Sequence, residues 1–369
     1  MKKVIGIYSG GFTDYFWNEE TVLKEGGGGS ETWTVQLARE FQNLGFHVIV
    51  FGNPEMWCFS LSGVEYLPKS MFSERIKYQH FDYFIFSRDV SKLTTDLSCP
   101  NVYIMSHDIC LHNANVYEDL KMDRVKKIAY LSSWHKWALS DWYKHDFNDS
   151  DSFKTMNGVD AEYYKDVDTF TKSNKMVWSS RSERGLRFLL GWIFPLIKKD
   201  VPDFEIDVCL YLNDFNADEY KNIDGINFIG KIGKEELSMR QKQSKIWIYP
   251  NLGFLDSNGS PFQETFCITA VENGLANNAI ITSNLGGLSD TLKGYGDFVG
   301  DSYRDKNGTI SGSESLKKYA EEIAAKAIIF LKDNNLREET AESAHNIVKE
   351  YSWHNAAITW LKEWNLIYD

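Results

Sequence analysis

Short apolar runs alternate with helix-period segments along nearly the whole chain, and this alternation limits the fold more than any single motif does. Residues 3–8, 47–51, 83–87, 102–106 and 128–131 read as buried strands. Residues 31–44 and 133–143 read as helices between them, the first with Val35, Ala38, Phe41 and Leu44 on one stripe and Gly45 as its stop. Strands separated by helices of this length pair in parallel, because each helix carries the chain back across the sheet. Residues 145–174 break the pattern with polar stretches and the turn pair Asn157-Gly158, which places a domain boundary near residue 170. The alternation then restarts, with strands at 175–179, 206–210, 226–229, 245–249 and 279–282 and a helix at 185–198. The chain finishes with helices at 313–332, 336–350 and 353–364. The expectation is an α/β protein of two Rossmann-like, doubly wound domains, 1–170 and 171–350, followed by a C-terminal segment, 351–369.

A chain of 369 residues is long for one core, which agrees with two domains. Its formal net charge of −12 argues against a general nucleic-acid binder and weakens the case for tight docking on anionic lipid. The five cysteines are scattered without a Cys-x-x-Cys pair, which predicts reduced thiols and no structural zinc. The apolar run after Lys2 and Lys3 stops at Ser9-Gly10-Gly11, too early for a signal sequence. No run approaches the ~20 apolar residues of a membrane span. A soluble, cytoplasmic protein is expected; nothing in the sequence addresses its oligomeric state.

The densest chemistry lies in residues 261–288. Glu264 and Glu272 stand eight positions apart, at the start and in the body of an expected helix that leads into a buried strand. If helical throughout, that interval rises ~12 Å, enough for two carboxylates to bind hydroxyls at opposite ends of one ligand. Between them, amides near Phe266, Cys267 and Ile268 at the helix N-terminus offer a phosphate cradle. Ribose, diphosphate and sugar, the parts of a nucleotide sugar, follow that order.

Four other places carry candidate chemistry, each beside a plainer reading. The run Gly26-Gly27-Gly28-Gly29 opens the first long helix, with Ser30 as the expected N-cap; Gly28 and Gly29 let backbone approach an anion, or form only a flexible loop. The run lacks the Gly-x-Gly-x-x-Gly spacing of a dinucleotide fingerprint. His107-Asp108 ends the strand 102–106, where ligands sit in open α/β sheets; a neutral His107 there donates to a hydroxyl, or only to local backbone. Arg181 and Arg184 occupy the turn after the strand 175–179 and suit a diphosphate, or form a surface turn paired with Glu183; position favours Arg184. Asn284-Leu285-Gly286-Gly287 is either a ligand-facing turn or a helix start. The Asp-x-Asp pairs at 149–151 and 166–168 read as solvated loop carboxylates, and Trp353, Trp360 and Trp364 as one packed helical face.

Together these residues resemble the retaining glycosyltransferases of family 4. The resemblance covers nearly the whole chain: the glycine loop, His107-Asp108, Met156-Asn157-Gly158-Val159-Asp160, Ser-Ser-x-x-x-Arg184-Gly-Leu, Tyr249-Pro250, and Glu264-x7-Glu272. It implies the GT-B fold, with an acceptor-binding domain, 1–170, and a nucleotide-sugar-binding domain, 171–350, facing across a cleft and the C-terminal helix, 351–369, crossing back to the first domain. It implies transfer of a sugar from a UDP-sugar or GDP-sugar to a glycan or lipid-linked acceptor, without an obligatory metal or further cofactor. By that analogy Glu264 and His107 touch the donor sugar, Glu272 binds ribose, Arg184 meets the diphosphate, and Phe266, Cys267 and Ile268 supply amides. The family's Arg-x4-Lys spacing is absent; Arg181 and Arg184 are three apart. The alternatives are a nucleotide-sugar epimerase or a pyridoxal-phosphate phosphorylase of the same fold, or a noncatalytic nucleotide-sugar sensor or scaffold.

Overall fold

The computed structural model describes residues 2–10, 15–94, 96–210, 215–253, 263–305 and 308–367. The chain divides into two compact units, Met1–Gly158 with Tyr351–Asp369, and Val159–Glu350. Residues 159–170, assigned to the first domain by the polar break, group with the second unit. The reason is visible in Tyr164, buried in that unit with its hydroxyl donating to Gln241 Oε1 at 2.6 Å.

The first unit holds an eight-stranded sheet built from β1 (Val4–Ser9), β2 (His47–Gly52), β3 (Cys58–Phe59), β4 (Glu65–Pro68), β5 (Tyr83–Ser87), β6 (Val102–Met105), β7 (Lys127–Tyr130) and β8 (Ser152–Lys154). Its order is β3-β4-β2-β1-β5-β6-β7-β8, and only the β3–β4 pair is antiparallel. Strand order reverses direction between β1 and β5, so the C-terminal ends of these two strands frame a crevice. The central strands are buried on both faces, which is why they read as continuous Val/Ile/Phe runs rather than alternating ones.

Helix Gly29–Asn43 covers the sheet, and the C-terminal helix Trp353–Glu363 packs on it. Trp353, Trp360 and Trp364 are buried. Trp364 stacks on Tyr83 at 4.2 Å between ring centroids, and Trp360 meets Phe153 edge-on at 4.9 Å. Gly158 lies against the start of this helix, where an added Cβ would come within 2.2 Å of Trp353 N.

The second unit has two parallel pieces. One is β11-β10-β9, formed by β9 (Lys175–Trp178), β10 (Glu205–Val208) and β11 (Ile226–Phe228). The other pairs β12 (Ile246–Tyr249) with β13 (Ala279–Thr282). A main-chain bond from Lys245 N to Lys175 O at 3.1 Å ties the entry of β12 to that of β9. Helices Ser313–Lys332 and Asn334–Val348 cover this sheet.

Lys172 binds the unit's layers together. Its Nζ lies within 3.2 Å of the carbonyls of Lys242, Ser244 and Ala276 and of Asn278 Oδ1. Two of those carbonyls close the helices Lys234–Lys242 and Ile268–Leu275, whose negative ends favour a cation. The expected helix 185–198 carries a π segment at Leu189–Ile193. Pro195 follows directly, and its missing N–H breaks the regular ladder at this point. Among the described residues, no helix is long and apolar enough to cross a membrane.

Candidate active site

In the second unit, Glu264 lies four residues before its helix rather than in the first turn. The helix is Ile268–Leu275, and Cys267 precedes it as N-cap with φ 80°, a left-handed conformation costly for a residue with a side chain. The continuous helix assumed from the eight-residue spacing is therefore replaced by an extended lead and a sharp corner. The first amides of the helix, at Ile268 and Thr269, have no acceptor within it, while Ala270 N donates to the Cys267 carbonyl at 3.1 Å, so this corner presents donors. Phe266 is buried, and its carbonyl accepts a hydrogen bond from Thr291 Oγ1.

The turn Asn284-Leu285-Gly286-Gly287 proves to be the support for Glu264. Gly287 N donates to the Glu264 carbonyl at 2.6 Å. A Cβ at Gly287 would come within 2.3 Å of Thr265 O, and Gly286 has φ +62° with Glu264 O 2.9 Å from its own Cβ position. Only glycines permit this approach.

Both carboxylates are buried and each meets a cation. Glu264 Oε1 accepts hydrogen bonds from Arg184 Nη1 and from the Tyr249 hydroxyl, both at 2.5 Å. Burial, with the Glu264 carboxylate beside it, pushes the Tyr249 phenol well above its ordinary value, so it remains a donor. Arg184 ends the turn Ser182–Arg184, and Gly185 (φ 111°) then starts the helix while resting against Pro250. Arg181 is exposed and pairs with Glu183 at 2.8 Å, as the plainer reading of that turn has it. Glu272 Oε1 accepts from Lys234 Nζ at 2.5 Å, and its Oε2 from Gln241 Nε2 at 3.4 Å. A buried carboxylate needs such partners, since an unpaired one costs several kcal/mol.

Three polar side chains follow strand C-terminal ends. Ser179 Oγ, Asn251 Nδ2 and Ser283 Oγ, after β9, β12 and β13 respectively, are buried with no hydrogen-bond partner among the described residues. Buried polar groups in folded proteins are ordinarily satisfied, so each marks a place that water or a polar ligand completes.

In the first unit, the glycine run departs from expectation. Gly28, not Ser30, is the N-cap of helix Gly29–Asn43. Gly28 N donates to the Tyr15 hydroxyl at 3.3 Å, and the Glu31 carboxylate folds back so closely that a Cβ at Gly28 would lie 2.4 Å from its Oε2. This helix end thus already holds an anion of its own. Gly29 is exposed, and a side chain there would meet nothing within 4 Å. Ser30 Oγ instead donates to Glu31 and accepts from Arg88 Nη1 at 3.1 Å.

Arg88 also holds Asp108, with Nε and Nη2 each 2.8 Å from Oδ2. His107 is partly buried and meets Trp33 edge-on at 5.0 Å. Burial and the Arg88 guanidinium push its imidazole down to about 3, so it is neutral at physiological pH. The fully buried His135 fixes the same loop from below: Nε2 donates to the Asp108 carbonyl at 2.9 Å, while Nδ1 accepts from Leu131 N at 3.2 Å. Burial lowers it to about 4.

Sequence reasoning assigned no role to Tyr249, Lys234, Gln241, Arg88 or His135. Tyr249 and Arg88 had a legible signal, since each lies at or just after the C-terminal end of a strand. Lys234 had none: its helix, Lys234–Lys242, is polar along most of its length and lacks an apolar stripe.

Of the Asp-x-Asp residues, Asp151 binds His145 six positions away, while exposed Asp166 accepts from Lys242 across 76 positions. Among the described residues, no group of three or more His, Cys, Asp or Glu is arranged to hold a metal ion.

No family model matches the chain, and no curated protein does. Solved structures match over its full length. A sucrose-phosphate synthase from Thermosynechococcus elongatus superposes with a TM-score of 0.69 at 12% identity, covering 99% of both chains. A glycosyltransferase from Rickettsia africae gives 0.67 at 16% identity, covering 99% of this chain and 98% of that one. HepE from Anabaena, solved in complex with UDP and glucose, gives 0.64 at 12% identity over 100% of both. At such identities the likeness speaks for the fold, which is GT-B.

Proposed function

We propose that this chain is a retaining, family 4-like glycosyltransferase that moves a sugar from a nucleotide diphosphate sugar to a hydroxyl acceptor. One observation carries the reading. Two buried carboxylates of the second unit each sit against a cation: Glu264 with Arg184 at the glycine-supported corner, and Glu272 with Lys234 from within the helix Ile268–Leu275. That set matches an activated sugar: acids for hydroxyls, cations and amides for the diphosphate. The structural neighbour solved with UDP and glucose supports a nucleotide-sugar donor.

On this reading Glu264 orients the donor sugar and Glu272 the ribose. Arg184, bonded to Glu264, is drawn toward the incoming diphosphate, with Arg181 and the amides of Phe266, Cys267 and Ile268 as further donors. The bond from the anomeric carbon to the diphosphate oxygen breaks as the acceptor oxygen bonds to the same face. The acceptor's proton passes to the departing diphosphate oxygen, which keeps charge and atoms balanced without a covalent enzyme intermediate. No metal or cofactor is required for any of these roles.

The test pairs binding with turnover. A thermal-shift panel of UDP- and GDP-sugars should reveal one donor that raises the melting temperature. That donor should be consumed with retention at the anomeric carbon and with a rate unchanged by EDTA. Glu264→Ala should keep the fold and lose transfer. Full activity in Glu264→Ala refutes the assignment, and donor binding without any turnover favours a noncatalytic sensor.

A further inference from the structure

The first unit contains a second cavity-lining constellation, which the donor chemistry does not use. At the reversal of strand order, the C-terminal ends of β1 and β5 open onto a cavity of about 280 Å³ lined by Tyr8, Gly10, Lys69, Ser70, Asp89, Lys92, His112 and Asn113. This crevice is where an open α/β sheet places a ligand. Its volume is at the small end of ligand sites, suited to one ring or headgroup rather than an oligosaccharide.

The lining is cationic in a strongly acidic chain. Lys69 and Lys92 face a single carboxylate, Asp89, while the whole chain carries −12. Asp89 is committed to the wall: its Oδ1 accepts from Ser91 N at 2.8 Å and its Oδ2 from Asn113 Nδ2 at 3.2 Å. It approaches Gly10 so closely that a Cβ there would lie 2.3 Å from its own. Lys69 is half-buried, and burial lowers its ammonium from the usual value despite the Asp89 and Glu31 carboxylates. An ammonium stripped of water gains most from an incoming anion. At the same strand end, Ser87 Oγ is fully buried with no partner among the described residues.

Acceptor binding by the first unit is already expected from the family resemblance; we propose that the acceptor carries an anionic group, a phosphate or a carboxylate, and that this cavity holds it through Lys69 and Lys92. Ser70 and Asn113 then serve the hydroxyls beside it. The inference rests on the glycosyltransferase reading for the word acceptor; the anion site itself does not.

The experiment is calorimetric titration of the full chain, saturated with whichever of UDP and GDP it binds so that the donor site is filled. The probes are glucose, glucose 6-phosphate and glucuronate. Either charged probe should bind at least tenfold more tightly than glucose, and which one does so distinguishes phosphate from carboxylate. The advantage should shrink in higher salt. It should fall tenfold in Lys92→Ala, an exposed position, and in Lys69→Met, which keeps the apolar stem. Equal binding of the three probes overturns the proposal, as does a charged preference that survives both substitutions. Nucleotide binding, read first in the same cell, reports on the transferase assignment separately. Failure to bind either UDP or GDP sinks that assignment whatever the sugars do, and binding of one leaves the sugar result to decide the acceptor.

Discussion

Gly287 donates its backbone N–H to the carbonyl of Glu264 at 2.6 Å, so a glycine after β13 sets the position of an acid 23 residues earlier in the chain. A methyl group on Gly287 would drive into Thr265 O. Gly287→Ala is therefore expected to lower kcat by at least tenfold, with a stability loss of about 1–3 kcal/mol. Steady-state kinetics beside a urea melt checks this; an unchanged kcat contradicts the support role.

Tyr249→Phe removes one of two donors to Glu264 Oε1 and leaves Arg184 in place. A lost hydrogen bond to a charged partner is worth about 1.5–3 kcal/mol, so transfer should fall by roughly ten- to a hundredfold. Size is conserved and the ring stacks remain, so the stability loss should not exceed the roughly 1.5–3 kcal/mol of the lost bond. Comparison of kcat and melting temperature for the one variant separates the two effects.

The buried histidines make stability pH-dependent. His107 and His135 are held near 3 and near 4, and unfolding returns them to ~6.5. The unfolded chain then binds more protons between these values, so their contribution is complete above pH ~6.5 and is lost as pH falls toward 4 and 3. For fully buried His135 the swing is on the order of 3 kcal/mol. His135→Gln, which retains a donor and an acceptor, should flatten the slope of unfolding free energy between pH 4 and 6.5. An unaltered slope would exclude His135 as its source.

Lys172→Met leaves three carbonyls and Asn278 Oδ1 without their shared donor. Buried acceptors left in this state cost about 1–3 kcal/mol each when unrelaxed, and water entry reduces the sum. A net loss of about 2–4 kcal/mol is expected in denaturant titrations. Donor affinity should remain within a few fold, because Lys172 touches neither Glu264 nor Glu272.

Much of the scaffold was legible because its causes are local. Residues 83–87, 279–282, 133–143 and 313–332 were assigned their observed bounds from apolar runs and helical stripes alone. Short or polar elements escaped: β3 and β8 have two and three residues, and helix Lys234–Lys242 has no stripe. The helix start at Glu264 was misplaced because Cys267 adopts a left-handed corner, which no propensity for cysteine suggests. Ser30 was taken for an N-cap on residue type, yet Gly28 holds that place.

The order of residues by itself determined the alternating layers and the turns that glycine makes possible. It also determined the presence of two acids, two arginines and a histidine near strand ends. Pattern of this kind survives in sequence because backbone geometry reads it over a few neighbouring positions. Which charges meet was decided only by tertiary structure. Arg184 reaches Glu264 across 80 positions and Lys234 reaches Glu272 across 38, while Arg181 turns to its neighbour Glu183. Those choices follow from how the strands line up side by side, a packing outcome that no local window of residues contains.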